Sequence, residues 1–159
     1  HGGHALAAGF SVRRERLPEL RRRLEAAVER RLSPEALQPR LVYDAEVRLA
    51  DCDLPLAAAL ARLEPHGRLG NPEPVFRADD LEVLEAGTVA RGRHLKLRVR
   101  DGSGTAEVIG FGLGDRCEAV RRAGTCSIAF VPTVDEWMGE RRVQLKVHAD
   151  GQVKGLRLP

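Results

Sequence analysis

Five segments with the character of β-strands, interrupted by one helix, dominate the second half of the sequence. The strand candidates cover residues 81–91, 94–100, 105–113, 126–134 and 141–149, and the helical segment GDRCEAVRRAG (114–124) separates the third from the fourth. The segment HLKLRVR (94–100) alternates apolar and charged residues with the period of two that a half-buried strand requires. Few small barrels carry a single helix at this place. The order therefore predicts an OB-fold, a closed five-stranded barrel with one short helix.

The first third of the chain has a different pattern. Residues 5–12 (ALAAGFSV) predict a short buried strand. A helix is predicted to begin at Arg16-Leu17-Pro18, with the proline tolerated in its first turn, and to continue to about Leu32, because leucine, alanine and valine recur there at helical spacing. One strand and one helix cannot bury a core of their own. We therefore expect residues 1–38 to be an α+β fragment from the end of a larger domain.

Residues 39–77 are expected to connect this fragment to the barrel domain, which is assigned to residues 78–159. LVYDAEVRL (41–49) alternates and predicts a half-buried strand, and Asp53 is a candidate N-cap for a helix over 54–64. Residues 64–76 are rich in proline, glycine and asparagine and predict an ordered loop. The pair Asp51 and Asp53 could suggest a metal, but a cap and a solvated neighbour account for it with fewer assumptions, since hard cations require more oxygen ligands.

Charge and composition exclude some functional classes. Only 4% of the residues are aromatic, so leucine, valine and alanine must supply the core, and the net charge of +3 permits nucleic acid as a partner. The charge is uneven: residues 1–40 carry +4, residues 41–76 carry −3 and residues 77–159 carry +2. Three cysteines without a CxxC pair predict buried free thiols. No apolar run approaches the ~20 residues of a membrane span, and no leader is visible, so a cytoplasmic protein is expected.

The outward face of the predicted barrel carries a strip of cations. Lys96, Arg98 and Arg100 share one face of their strand with His94, because side chains alternate. Together with aromatic residues, basic residues of this kind bind single-stranded DNA: cations neutralise phosphates and bases stack on rings. The candidate set is Arg91, Arg93, Lys96, Arg98, Arg100, Phe111, Trp137, Arg142 and Lys146. The alternative is that these outward positions are charged only for solubility.

Catalytic motifs are not apparent. The five histidines are scattered, and no HxxxH, HExxH, GxSxG or Walker-type sequence occurs. GFGLG (110–114) lacks the GxGxxG spacing and predicts flexibility at a barrel corner. Gly2-Gly3-His4 predicts a turn whose amides and histidine could contact an anion, although an ordinary tight turn has the same pattern.

Several stretches together resemble one known family. GGHALAAGF (2–10) resembles the glycine-histidine motif of the DHH-associated domain of DHH phosphoesterases. LEPHGRLGNPEPVF (63–76) and VIGFGLGD (108–115) are similar to the carboxy-terminal part of the RecJ single-strand-specific DNA exonucleases. The family's loop usually runs PFGxGNPEP, whereas here the aromatic position holds His66 and the loop is one residue longer.

The resemblance implies a function and its parts. RecJ-type enzymes hydrolyse single-stranded DNA from the 5′ end with Mn²⁺ or Mg²⁺ held by an amino-terminal DHH domain. That domain's motifs do not occur here, so the resemblance implies a fragment that binds no metal and is inactive alone. Gly2, Gly3 and His4 match the motif that contacts substrate phosphate, and the barrel would hold the strand. Single-stranded DNA and the missing DHH domain are the implied partners.

Three other hypotheses about the function remain open. The barrel could be a protein-docking module that recruits a single-strand-binding protein or a helicase, since fold does not fix function. The chain could belong to a DHH phosphoesterase for oligoribonucleotides or cyclic dinucleotides, which is not expected to carry this barrel. A stand-alone OB protein is the third, and the strand and helix at the start argue against it.

Overall fold

A computed structural model describes residues 2–4, 7–33, 36, 40–67, 70–137, 139–150 and 153–159. The chain divides into two compact units, residues 1–39 and residues 40–159.

The first unit contains a small hairpin and one helix. Strand β1 (Gly2–His4) pairs antiparallel with β2 (Ala7–Gly9), and helix α1 spans Leu17–Arg31. Proline at the start of α1 and ion pairs one turn apart, such as Arg23–Glu19 at 2.7 Å, favour the helix. Two expectations were wrong here. The strand of residues 5–12 is replaced by the hairpin, whose residues 7–9 are exposed, and Gly2-Gly3-His4 forms a paired strand rather than a turn.

The second unit is a closed barrel, which confirms the predicted OB-fold. Its strands are β4 (Phe76–Val89), β5 (His94–Arg100), β6 (Thr105–Gly110), β7 (Thr125–Trp137) and β8 (Glu140–Val147). β4, β5 and β6 pair in sequence as antiparallel neighbours, and β7 pairs antiparallel with both β4 and β8. A parallel pairing of β6 with β8 closes the ring. All five strands predicted for the barrel are present, and β5 is the one whose two ends are both as predicted.

Alternation along the strands fills the barrel. Leu95, Leu97 and Val99 of β5 are almost completely buried, and Val108 and Leu145 meet them from β6 and β8. Their neighbours in sequence face outward, as the period of two requires. Leucine and valine therefore dominate the core, and Phe130 is its largest fully buried side chain.

Helix α3 (Cys117–Ala123) lies between β6 and β7 and contributes Cys117 and Val120 to the core. Gly124 ends it in the left-handed conformation (φ 69°), which favours glycine. The carbonyl of Gly124 accepts a hydrogen bond from the Val83 amide (2.9 Å), which joins the helix end to β4. The predicted helix is thus in place between the third and fourth barrel strands.

The segment before the barrel docks on it with little regular structure. Strand β3 contains only Ala45–Glu46 and pairs parallel with the start of β4, so the predicted strand over residues 41–49 was wrong in extent. Leu41 and Tyr43 instead pack on Val75 and the outward Val131. A segment that packs against the barrel on one side only can alternate apolar and polar residues without pairing as a strand.

Helix α2 (Leu54–Ala61) follows, and the carboxylate of Asp53 accepts from the Leu56 amide (2.8 Å), as predicted for an N-cap. In the loop after it, the side-chain amide of Asn71 donates to the carbonyls of Leu63 (2.7 Å) and Pro65 (2.9 Å). These two bonds join Asn71 to the residues that follow α2.

The end of the chain returns to the barrel. The short strands β9 (Ala149–Asp150) and β10 (Val153–Lys154) form a hairpin, and β11 (Leu156–Arg157) pairs with β7. Among the described residues, no helix is long and apolar enough to cross a membrane.

Candidate nucleic-acid interface

The outward face of β5, β6 and β8 presents the predicted cations in rows. Lys96 lies opposite Ile109, which lies opposite Lys146, so one row crosses three strands. The next row contains Arg98 and Glu107 and ends at Gln144. Arg100 and Arg142 extend the face beyond these rows. The alternation predicted from HLKLRVR therefore does bring the candidate residues to one surface.

Each of these cations is matched by a carboxylate. Lys96 Nζ lies 3.2 Å from Glu107 Oε2, and Arg142 Nη1 lies 3.2 Å from Glu107 Oε1. Four further pairs complete the set: Arg98–Glu85 at 3.5 Å, Arg100–Glu82 at 2.6 Å, Arg142–Asp135 at 3.1 Å and Lys146–Glu73 at 3.6 Å. We call these five cations and five carboxylates the paired strip. Its formal charge is zero.

Glu107 occupies the centre of the paired strip. Its side chain is 30% exposed, and its Oε2 atom has no access to solvent and no well-aligned hydrogen bond. It is the member of the strip that forms ion pairs with cations from two different strands, Lys96 of β5 and Arg142 of β8. Arg142 has a second carboxylate partner, Asp135, whereas Lys96 pairs with Glu107 alone among the described residues.

A second group of residues meets at one end of the barrel, between the turn after β4 and the turn after β6. The Gly114 amide donates to the Arg93 carbonyl (3.1 Å), and the Gly112 amide donates to Nδ1 of His94 (3.0 Å). The second bond places the proton of a neutral His94 ring on Nε2. The His94 ring stands edge-on to Phe111 with centroids 5.0 Å apart. We call this group the barrel corner.

The cations of the barrel corner differ from those of the strip. Arg91 and Arg93 from the first turn and Arg116 after the second are exposed. None of the three forms an ion pair within the described part of the chain. One carboxylate, the exposed Asp115, lies beside Arg116 in sequence. The corner therefore keeps a positive excess, unlike the strip.

Phe111 gives the barrel corner an aromatic surface. It follows the last residue of β6 and is 54% exposed, one of the most exposed large apolar side chains in the described residues. An exposed ring and unpaired arginines on two turns that meet are the residue types that stack a base and neutralise its phosphate. Sequence reasoning selected Phe111, Arg91 and Arg93 but missed Arg116, because the contact between the two turns is visible only in the fold.

Glycine makes that contact possible. A Cβ atom on Gly114 would lie 1.8 Å from the Gly92 carbonyl oxygen, so no other residue fits there without movement of the turn. The sequence predicts flexibility for GFGLG, and the structure adds a second use of glycine there: Gly114 allows the close approach of the two turns. Gly112 in the same stretch has a φ of +69°, which also favours glycine.

The remaining candidates are less defined. Trp137 is the last residue of β7, paired with Glu140, rather than a loop residue as predicted, and its side chain lies outside the described set. The His4 side chain also lies outside it, and Gly2 and Gly3 are described only by their pairing in the hairpin. Val131 of β7 lies opposite Lys146 and is covered by Leu41 and Tyr43. The segment before the barrel therefore covers part of the outer surface of β7.

The described residues do not fit a resident metal ion. No group of three or more His, Cys, Asp or Glu side chains is placed to hold one in the part of the chain that the structure describes. Asp51 pairs with Arg48, and the hydrogen bond from Arg48 lowers the pKa of its carboxyl. Burial raises the pKa of the free thiols Cys52 and Cys126 to about 11, so neither presents a thiolate near neutral pH.

Comparison with known proteins gives a consistent result. The sequence profile described as "RecJ OB domain" matches residues 43–149. The single-stranded-DNA-specific exonuclease RecJ of Bacillus subtilis is 26% identical over 147 residues, which cover 92% of this chain and 19% of that protein. RecJ of Dickeya dadantii is 30% identical over 148 residues, covering 92% of this chain and 25% of that protein. The chain thus spans about a fifth to a quarter of the length of these relatives.

A solved structure is also similar. The crystal structure of RecJ from Thermus thermophilus in complex with Mn²⁺ superposes with a TM-score of 0.73 at 28% identity. The match covers 99% of this chain and 22% of that one. The same protein in complex with Mg²⁺ gives the same TM-score and identity.

Proposed function

The chain belongs to the RecJ OB domain family, and from this premise we propose that its barrel holds single-stranded DNA for a 5′-to-3′ exonuclease. The DNA would run over the barrel corner and along the outward face of β5, β6 and β8. The cations Lys96, Arg98, Arg100, Arg142 and Lys146 would contact phosphates there, and Trp137 would be a second stacking residue. DNA repair and recombination in the cytoplasm would be the setting of such an activity.

The barrel corner is the observation that supports this proposal most strongly. Its three exposed arginines have no carboxylate partner in the described residues, so they can neutralise phosphates without first breaking an ion pair. Phe111 lies in the second of the same two turns, with half of its surface open. Stacking of a base on such a ring is worth about 1–3 kcal/mol and tolerates any base. Bases that are paired in a duplex have no free face to stack, which favours single strands.

The cutting chemistry is proposed to lie in another part of the enzyme. The Thermus thermophilus enzyme was crystallised with Mn²⁺ and with Mg²⁺, whereas the described residues here do not fit a metal site. Gly2, Gly3 and His4 would contact a substrate phosphate in the assembled active-site cleft, a role that rests on the resemblance alone. A DHH domain would supply the metal ligands.

Oligonucleotide binding tests the proposal. A fluorescent single-stranded oligonucleotide should bind with an affinity that falls with salt and exceeds that for duplex of the same sequence. Replacing Arg91 and Arg93 with alanine removes two phosphate contacts. The slope of log affinity against log salt should therefore decrease by about 1.4, because each contact to a single strand adds about 0.7.

The matched control is the replacement of Arg13 and Arg14, two exposed arginines of the first unit, which changes the net charge by the same amount. Its slope should equal that of the wild type. Equal affinity for duplex and single strands, or equal losses in the two double variants, would contradict the proposed interface. Capture of a single-strand-binding protein or a helicase by a chain that binds no oligonucleotide would favour the docking function instead.

A further inference from the structure

We propose that Glu107 limits the affinity of this surface for single-stranded DNA by occupying the cations that would otherwise contact phosphates. The proposal rests on the proposed function and deepens it, because it assigns the paired strip a regulatory part in the same binding event. It concerns a carboxylate, a residue type that a phosphate-binding surface would be expected to exclude.

The charges of the strip carry the inference. Its five cations face five carboxylates at 2.6–3.6 Å, so no cation of the strip has free charge to offer to a phosphate. A phosphate that approaches Lys96 or Arg142 must displace a carboxylate oxygen and then lies beside that carboxylate. Both the exchange and the like-charge repulsion reduce the gain from contact.

The position of Glu107 gives it the largest effect. It lies on the central strand of the face, between Lys96 of β5 and Arg142 of β8, and pairs with both. Its Oε2 atom is shielded from solvent and lies 3.2 Å from Lys96 Nζ. Glu82 and Glu85, by contrast, lie on the neighbouring strand β4, and each pairs with a single arginine.

The consequence is a division of labour between the two parts of the surface. The barrel corner, with its unpaired arginines, makes the first contact with DNA. The paired strip then exchanges carboxylates for phosphates one pair at a time, so the strand is held weakly along β5 and can advance. An exposed ion pair contributes little to stability, so each exchange is close to balanced.

Glu107→Gln tests this directly, because it keeps the shape of the side chain and removes its charge. Lys96 is then free, and Arg142 keeps only Asp135. The variant should gain at least one phosphate contact: a salt slope steeper by about 0.7, and a single strand bound about five- to tenfold more tightly in about 50 mM salt. Equal or weaker binding by a folded variant would overturn the proposal.

Two further variants make the test specific. Glu25→Gln removes the same charge from helix α1 of the first unit, where Glu25 pairs with Arg21 at 2.9 Å, and should leave affinity unchanged. In a Lys96→Met background, Glu107→Gln should lose most of its gain, since the freed cation is absent. An undiminished gain in that background would overturn the assignment to Lys96.

The outcomes separate this inference from the proposed function. A wild-type chain that binds no single-stranded DNA would contradict the proposed function itself. Binding by the wild type with no gain in Glu107→Gln would overturn only the role of Glu107. If Glu107→Gln melts below the wild type, Glu82→Gln replaces it: this exposed carboxylate holds Arg100 at 2.6 Å, and its removal should also strengthen binding.

Discussion

Asp101 connects the barrel to the segment that precedes it. Its Oδ2 accepts from the Leu49 amide (2.8 Å), and its Oδ1 accepts from the Ser103 hydroxyl (2.6 Å) and from the amides of Ser103 and Gly104. Partial burial raises the pKa of Asp101, but these hydrogen bonds outweigh it and lower the value to about 2. A residue in the turn between β5 and β6 thereby fixes a loop 52 positions earlier.

Asp101→Asn should therefore destabilise the barrel in a pH-dependent way. The folded pKa lies below the ordinary value of 3.8, so the carboxylate adds stability above about pH 4 and loses it as the pH falls towards 2. At pH 7 we expect a loss of about 1–3 kcal/mol, because a charged acceptor of several hydrogen bonds is replaced by an amide. Thermal unfolding from neutral to acid pH measures it, and the gap between variant and wild type should close near pH 2.

The control for this change is Asp115→Asn, which replaces an exposed carboxylate in the connection after β6. It should leave the unfolding temperature unchanged at every pH. A gap between Asp101→Asn and the wild type that stays constant from pH 7 to pH 2 would show that the charge of Asp101 is not the cause.

At the scale of elements, two turns form one unit at the barrel corner. Ala90 and Arg91 both have positive φ (52° and 58°), which is uncommon for residues with side chains. The contact of Gly114 with Gly92 and the Gly114–Arg93 hydrogen bond hold this turn in place. Arg91, Arg93 and Phe111 are thus presented by a fixed loop pair, which lowers the entropy cost of binding a strand.

Gly114→Ala should separate the two turns. The added methyl would lie 1.8 Å from the Gly92 carbonyl oxygen, which is backbone and cannot rotate away. We expect a loss of stability of about 1–3 kcal/mol and weaker oligonucleotide binding, because the turn that carries Arg91 and Arg93 must move. Calorimetry and fluorescence anisotropy on the same samples would measure both effects.

Gly102→Ala is the matched control, since nothing lies within 4 Å of a Cβ atom there. It should keep both the stability and the affinity of the wild type. If Gly114→Ala behaves in the same way, the close contact between the two turns does not position the arginines.

Elements with a regular period were predictable from the sequence, and elements set by tertiary packing were not. β5 was placed without error because HLKLRVR alternates along its whole length. β4 was predicted to begin five residues late: its first residues contain an irregularity with Asp80 at φ 52°, which breaks the alternation. Residues 41–49 alternate because Leu41 and Tyr43 pack on Val75 and Val131, not because they pair.

The same distinction applies to the candidate site. Outward positions of the cations follow from the period of two, so sequence alone could select Lys96, Arg98 and Arg100. Their carboxylate partners depend on cross-strand register, which places Glu82 opposite Arg100 and Glu85 opposite Arg98 across a bulge. No local pattern indicates that register, so the neutrality of the strip could not be anticipated.

At the scale of the whole molecule, the barrel includes residues that precede position 78, where the sequence predicts it to begin. Leu49 belongs to the barrel core and Phe76 packs against the buried ring of Phe130, with centroids 6.4 Å apart. β3 extends the sheet beyond β4. The segment expected to be a connection between domains therefore contributes side chains and hydrogen bonds to the folded barrel.

A comparison of two shortened chains tests this dependence. A polypeptide of residues 40–159 keeps Leu49 and Phe76, whereas one of residues 78–159 loses both and leaves Asp101 without its Leu49 donor. Removing the buried Leu49 and the partly buried Phe76 costs about 3–5 kcal/mol, which lowers the unfolding temperature of a domain of this size by about 10–30 °C. Circular dichroism measures both transitions. Adding residues 40–77 as a separate peptide should raise the unfolding temperature of the 78–159 polypeptide, because the same contacts can form between two chains. Equal unfolding temperatures for the two polypeptides would mean that the barrel is complete without residues 40–77.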